Sequence, residues 1–167
     1  AGMSSRDVVL PVVPFFHVNA WGVPYSALMA GAKLVLPGPK MGDGEALYEL
    51  MDSEAVTMAL GVPTGLLALL QYTESPGKRL DKLQRSLVGG AAVPRAMIEA
   101  FRDKHGVELR QGWGMTETSP IGTVNTIKAG LEGLSKDEQL DLATKAGRGI
   151  FGVEMRIVDD NGEELPW

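Results

Sequence analysis

Cysteine is missing from all 167 residues, which excludes disulfides and thiolate metal sites. Histidine is scarce, with 2 in the chain, so a histidine-built zinc centre is short of ligands. No apolar run approaches the roughly 20 residues that cross a bilayer, and the first residues do not read as a secretory leader. Basic charge is in deficit: 16 Lys and Arg stand against 21 Asp and Glu, a formal net charge of −5. With no global positive field, nucleic acid and anionic membrane are poor partners, and any peripheral membrane contact would have to be local. Several catalytic signatures are missing as well. There is no G-x-S-x-G, so the common serine-hydrolase elbow is excluded. There is no G-x-x-x-x-G-K-[ST] loop, and the Gly-Trp-Gly at 112–114 runs into Met-Thr-Glu rather than completing a dinucleotide fingerprint.

What the chain has is an ordinary globular composition, 44% apolar and 22% charged, enough for one domain or a large piece of one. The lack of cysteine is compatible with a reducing compartment, and the expected location is cytoplasmic. The residue pattern predicts strands over 7–13, 33–36, 55–60, 86–88, 107–110 and 153–158, from β-branched and apolar runs closed by Pro or Gly. Helices are expected over 19–30, ending at Gly31, and over 44–53 behind an Asp43 cap. Further helices are expected from Pro63 to about 72, from Pro94 to Gly106, and from a Ser135/Glu138 capping box to about 146. Asp-Asp-Asn-Gly at 159–162 is a hairpin turn signal.

Strands alternating with helices predict an α/β fold: a mostly parallel β-sheet with flanking helices, ending in a truncated β-hairpin. Residues 1–150 are expected to form the α/β core and 151–167 the start of a following β-rich segment. Ligands in such sheets sit beyond the carboxyl ends of the strands. The polar or glycine-rich segments around His17, Gly89–Ala91 and Gly112–Glu117 each follow an expected strand, so they can share one rim.

The decapeptide QGWGMTETSP at 111–120 combines approachable backbone at Gly112 and Gly114, a flat ring at Trp113, a hydroxyl at Thr116 and a carboxylate at Glu117. Those groups suit a nucleotide with its metal: the ring can stack on a base, the hydroxyl can meet a phosphate oxygen, and the carboxylate can hold Mg²⁺. They equally suit a helix cap at Thr116 and a core indole. Gly89-Gly90-Ala91 would let a planar base lie against the backbone, although alone it is more simply a tight strand-to-helix turn. In PFFHVNAWG, His17 and Trp21 are four apart and can share a helix face. Most such histidines are satisfied structural groups, and Met and Leu stripes elsewhere are core.

Taken together, these segments resemble the adenylate-forming (AMP-binding) acyl-CoA synthetase superfamily. QGWGMTETSP is similar to its QGYGMTE motif, LVGGAAVP at 87–94 to its glycine-rich adenine loop, and residues 146–166 to the stretch before its ribose-binding motif. Residues 12–39, VVPFFHVNAWGVPYSALMAGAKLVLPGP, are most similar to a bacterial medium- or long-chain fatty acyl-CoA synthetase. The resemblance implies ATP-dependent activation of a fatty acid to acyl-adenylate, followed by transfer to CoA, with Mg²⁺ as the metal and a homodimer as a compatible assembly. It implies nucleotide binding at Gly89, Gly90, Ala91, Gln111, Gly112, Trp113, Gly114, Met115 and Thr116, and metal binding at Glu117. It implies substrate contacts at His17, Val18, Trp21, Gly89 and Gly112, with Thr116, Glu117 and His17 catalytic and Trp21 gating the acyl tunnel. Trp113 departs from the family's Tyr, keeping the stack and losing a hydroxyl. The family's phosphate loop, ribose-binding Asp and C-terminal lysine have no counterpart here, so the chain is expected to be an internal fragment, inactive alone. Other readings are an aryl or other acid–CoA ligase of the superfamily, or a non-catalytic ligand-binding module. A peptide-synthetase adenylation domain would usually carry an aspartate near residue 17, where this chain has none.

Overall fold

Parallel strands cannot be joined by tight turns, so the parallel strands here are connected to one another through helices. A computed structural model describes residues 2–131 and 133–166, with the side chains of residues 19 and 21 outside the description. Strands β1 (Val8–Val12), β2 (Lys33–Leu34), β3 (Met58–Gly61), β4 (Arg85–Val88) and β5 (Glu108–Gly114) pair in parallel. β6 (Ile121–Val124) and β7 (Arg148–Gly149) continue the same sheet antiparallel, giving the order β2-β1-β3-β4-β5-β6-β7. A separate hairpin joins β8 (Ile157–Val158) to β9 (Glu164–Leu165) around the expected 159–162 turn, where Asp159 Oδ1 accepts the Asn161 and Glu163 N–H groups.

Both faces of the sheet are covered. On one, Leu10, Ala59, Val88 and Leu109 meet α3 (Gly44–Ser53), α4 (Pro63–Tyr72), α5 (Arg95–Ala100) and α6 (Lys136–Ala143) in the larger core, with Phe101 fully buried. On the other, Val9, Met58 and Leu60 meet Val23 of α2 (Val23–Ala30). Local signals set the ends of these helices. Asp43 accepts the Glu45 and Ala46 N–H groups at the start of α3, and Ser135 and Glu138 form the expected capping box on α6. Among the described residues no helix is long and apolar enough to cross a membrane.

Several expectations are corrected. The helix expected over 19–30 is two: α1 (Val18–Trp21) and α2, broken at Gly22. Pro24 explains the restart, since its ring is accommodated only in a first turn. The helix opened by Pro94 ends in a π turn, Phe101–His105, before Gly106 closes it at φ 70°. β5 runs on to Gly114, so the first part of the decapeptide is strand rather than loop. β6 and β7 were not expected, and the strand expected over 153–158 shrinks to β8.

The second histidine is structural. Thr73 Oγ1 donates to the Leu70 carbonyl at 2.8 Å and lies 3.2 Å from His105 Nε2, so it accepts from that ring nitrogen. His105 Nδ1 accepts the Leu80 N–H at 3.4 Å. Burial, then the charges of Arg79 and Lys104, hold this imidazole neutral to lower pH than usual.

The amino ends of β1, β3 and β4 are tied by one buried acid. Asp7 accepts from Arg85 Nη2 at 3.0 Å, from Thr57 Oγ1 at 2.9 Å and from Ser4 N at 2.8 Å, while Thr57 Oγ1 accepts the Val8 N–H. Burial alone would raise the Asp7 pKa, but Arg85, the Ser4 N–H and the Thr57 and Ser4 hydroxyls outweigh it and hold it at about 2. A carboxyl lowered in the folded state binds its proton more readily when unfolded, so its contribution is complete above about pH 4 and lost as pH falls towards 2. Asp7→Asn removes the negative charge that faces Arg85 Nη2 and should cost about 3 kcal/mol at neutral pH. Urea denaturation at pH 7 and pH 3 checks this: the gap between wild type and variant should narrow at pH 3. An unchanged gap would remove Asp7 as the titrating group.

Candidate active site

Glycines stand at the carboxyl ends of three neighbouring parallel strands. Gly61 ends β3 and pairs with Val88, and Val88 pairs in turn with Gln111. Gly89 and Gly112 follow one residue later, and the Gly89 N–H donates to the Gly61 carbonyl at 3.1 Å. A Cβ at Gly89 would sit 3.3 Å from the Gly112 carbonyl oxygen, and one at Gly112 would meet the Thr123 oxygen at 3.3 Å and Leu87 Cδ1 at 3.4 Å. Side chains at these positions would crowd the sheet and fill the space above it. Their absence leaves a cavity of about 330 Å³, bordered by Gly89, Gly90, Gly112 and Trp113, with Val23, Leu60 and Leu87 supplying apolar surface. Bare backbone beside apolar walls can receive a flat ring or an aliphatic chain.

Beyond β5 the chain reverses sharply. Thr116–Thr118 form one 3-10 turn, and Ser119 takes the left-handed conformation at φ 55°. A Cβ at Gly114 would collide with the Pro120 carbonyl, so this close approach requires glycine. Thr118 locks the reversal. Its Oγ1 accepts the Met115 N–H at 3.0 Å, a donor shared with the Pro120 carbonyl, and lies 2.6 Å from the Pro120 oxygen and 3.0 Å from the Met115 oxygen. One hydroxyl proton serves one carbonyl at a time, and the shorter contact to Pro120 is the better bond.

The structure brings some of the sequence-predicted residues together and not others. Gly89, Gly90, Gly112, Trp113 and Gly114 line the cavity. Thr116 and Glu117 lie exposed on the adjoining turn, and Met115 is exposed just before it. Ala91 is exposed on the loop after Gly90. Gln111 is buried, and its Oε1 accepts the Val93 N–H at 2.9 Å, so it holds the glycine loop against β5. His17 is exposed at the start of α1, its carbonyl accepting the Ala20 N–H. Val18 is buried, and the Trp21 side chain lies outside the described residues. Thr118 was missed by sequence reading; Thr-x-x after a Gly-rich strand end is too common a pattern to single out its hydroxyl.

Among the described residues no three His, Asp or Glu side chains gather as a metal site. The turn offers Glu117 alone. Mg²⁺ commonly takes one or two protein carboxylates and completes its shell with water and phosphate oxygens, so a lone exposed carboxylate beside an open cavity is compatible with that ion.

The family model described as AMP-binding enzyme matches residues 1–167. Over 165 residues the chain is 51% identical to a 3-methylmercaptopropionyl-CoA ligase of Ruegeria lacuscaerulensis, covering 99% of this chain and 30% of that protein. It is 52% identical over 164 residues to a long-chain-fatty-acid–CoA ligase of Thermus thermophilus, covering 98% and 30%. It is similar in structure to an o-succinylbenzoate coenzyme A synthetase of Bacillus subtilis solved in complex with ATP and magnesium ion. That likeness has a TM-score of 0.76 at 25% identity, over 99% of this chain and 31% of the other. The chain thus spans about 30% of the length of the two curated relatives.

Removing the Thr118 hydroxyl while keeping its shape should loosen the turn. Thr118→Val is expected to cost about 1 kcal/mol and to speed amide exchange at Met115, Thr118 and Ser119, with Thr118→Ser close to wild type. Exchange measured residue by residue checks this; equal protection in the Val variant would show that the hydroxyl does not hold the turn.

Proposed function

The chain belongs to the AMP-binding enzyme family, and on that premise we propose that it works as part of a longer acid–CoA ligase. In that reaction a carboxylate oxygen bonds to the α-phosphorus of ATP and pyrophosphate leaves; the CoA sulfur then bonds to the acyl carbon, giving up its proton, and AMP leaves. The observation that carries the reading is the cavity of bare backbone and apolar surface beside a turn that presents a hydroxyl and a carboxylate. The 51% and 52% identities to two CoA ligases support it.

The residue roles are proposed with it. Gly89, Gly90, Ala91 and Gln111–Met115 border the nucleotide, through approachable backbone and the Trp113 ring, with Gln111 acting by fixing the loop. Thr116 donates its hydroxyl to a phosphate oxygen. Glu117 holds Mg²⁺, which when bound would offset phosphate charge. His17 stands near the reacting carboxylate, and Val18 and Trp21 border the acyl chain, Trp21 as its gate. Phosphoryl chemistry of this kind depends on positioning and charge neutralisation more than on a strong base. Groups outside this chain share that work, so the chain alone is proposed to be inactive. Residues 1–150 would form the α/β core and 151–167 the start of a further β-rich segment.

The finer reading is a medium- or long-chain fatty acid, supported by the apolar surface of Val23, Leu60 and Leu87 and by the fatty-acid ligases among the relatives. An equal likeness to a 3-methylmercaptopropionyl-CoA ligase favours a second reading, a short aliphatic acid.

Two measurements on the full-length ligase test these roles. Glu117→Ala should lower acid-dependent pyrophosphate release by about two orders of magnitude or more, as for loss of a main charge-stabilising group; near-normal release would sink the metal assignment. Trp21→Ala should change KM across a chain-length series of fatty acids, and its dependence on ATP. Constant values would end the gate, and a preference for 3-methylmercaptopropionate over the whole series would replace the fatty-acid reading with the second one.

A further inference from the structure

Gly122 lies buried in β6, across from the bulge at Trp113 and Gly114. A Cβ built on it would stand 2.5 Å from Trp113 Cζ3 and 2.7 Å from Cε3, while the nearest backbone atom, the Trp113 oxygen, is 3.5 Å away. Ordinary carbon–carbon contact is about 3.5–4.0 Å, so an added methyl fits the backbone and clashes with the indole alone. The conformation does not demand glycine either, because Gly122 is not among the positive-φ glycines. Gly114 differs on this point: its Cβ would strike the Pro120 main chain, so it serves the turn itself.

We infer that Gly122 is a positioning residue for the site, leaving a side-chain-sized seat on β6 in which the Trp113 indole lies and so setting that wall of the cavity. Trp113 borders the cavity and is 45% exposed, so a ring lifted from this seat changes the wall that the cavity presents to a ligand. The chain thus has a ring larger than the Tyr of the motif it resembles and a strand position with no side chain beneath the added benzo carbons. The functional consequence rests on the acid–CoA ligase reading; the contact between ring and strand does not.

The test uses the full-length ligase with Gly122→Ala, Trp113→Tyr and the double variant. Gly122→Ala should raise KM for ATP about tenfold, as for loss of a stacking contact made by the ring, with a smaller change in kcat. In the Trp113→Tyr background, whose ring lacks the clashing benzo carbons, adding Gly122→Ala should change KM less than threefold. A KM unchanged by Gly122→Ala, or raised equally in both backgrounds, overturns the proposal. Thermal unfolding of the same four proteins, without substrate, tests the contact separately. Gly122→Ala should lower Tm less in the Tyr background than in the Trp background, and equal losses overturn the seat. If the unmodified ligase shows no acid-dependent pyrophosphate release, the function reading fails while the thermal comparison still decides the contact.

Discussion

The site depends on bare backbone at the carboxyl ends of β3, β4 and β5. Parallel pairing sets Gly61 beside Val88, and Gly89 and Gly112 follow on the next two strands. Any Cβ at Gly89 or Gly112 would press on a neighbouring carbonyl. A parallel sheet is normally covered on both faces, and here the cover is incomplete over these strand ends, with α2 contributing Val23 to one side of the opening. Because the floor of the cavity is main chain, its position follows from the sheet register, while Trp113, Val23, Leu60 and Leu87 supply side-chain walls.

The opposite edge supplies the rigidity. Asp7, Thr57 and Arg85 belong to the amino ends of the strands that reach the cavity or flank it, and they are joined through one buried carboxylate. The central strands are therefore pinned at one end by charge-assisted hydrogen bonds and stripped of side chains at the other. Gln111 and Thr118 carry the same economy into the loops. Each spends its polar side chain on backbone groups, the first on the glycine loop and the second on the turn after β5. The groups with a proposed chemical role then project from segments that Gln111 and Thr118 tie to backbone.

Much of this was legible in the residues because the signals are local. Asp43 before an amphipathic run, the Ser135/Glu138 pair and the 159–162 turn each act within a few residues, and each appears where the pattern puts it. The alternation of strands and helices was enough for the parallel sheet. What was missed depends on distant partners. Ile121–Val124 has a β-branched pattern, but becomes a strand because Gly114 lets the chain fold back beside β5. The Gln111 contact to Val93 and the seat for the indole at Gly122 join residues whose proximity the sheet creates. The break between α1 and α2 was readable from Pro24, yet the apolar run through 19–30 masked it.

Charge adds a final constraint on what this scaffold can bind. The chain carries −5 overall, and Glu117 is exposed at the turn beside the cavity. Two like unit charges 4 Å apart repel by about 1 kcal/mol in water and about 4 kcal/mol at the effective dielectric near a protein surface. Several of the cations are engaged with acids other than Glu117: Arg85 with Asp7, Arg95 with Asp137 and Asp141, and Lys136 with Asp103. A bare triphosphate would therefore meet net repulsion at Glu117, whereas one carrying a divalent cation would find the same carboxylate attractive. On the proposed reading, the chain recognises the nucleoside by main chain and aromatic surface and senses the metal through one acid. The turn over residues 115–119 carries no Lys or Arg, so on that reading phosphate charge at the turn is offset through the metal that Glu117 would hold.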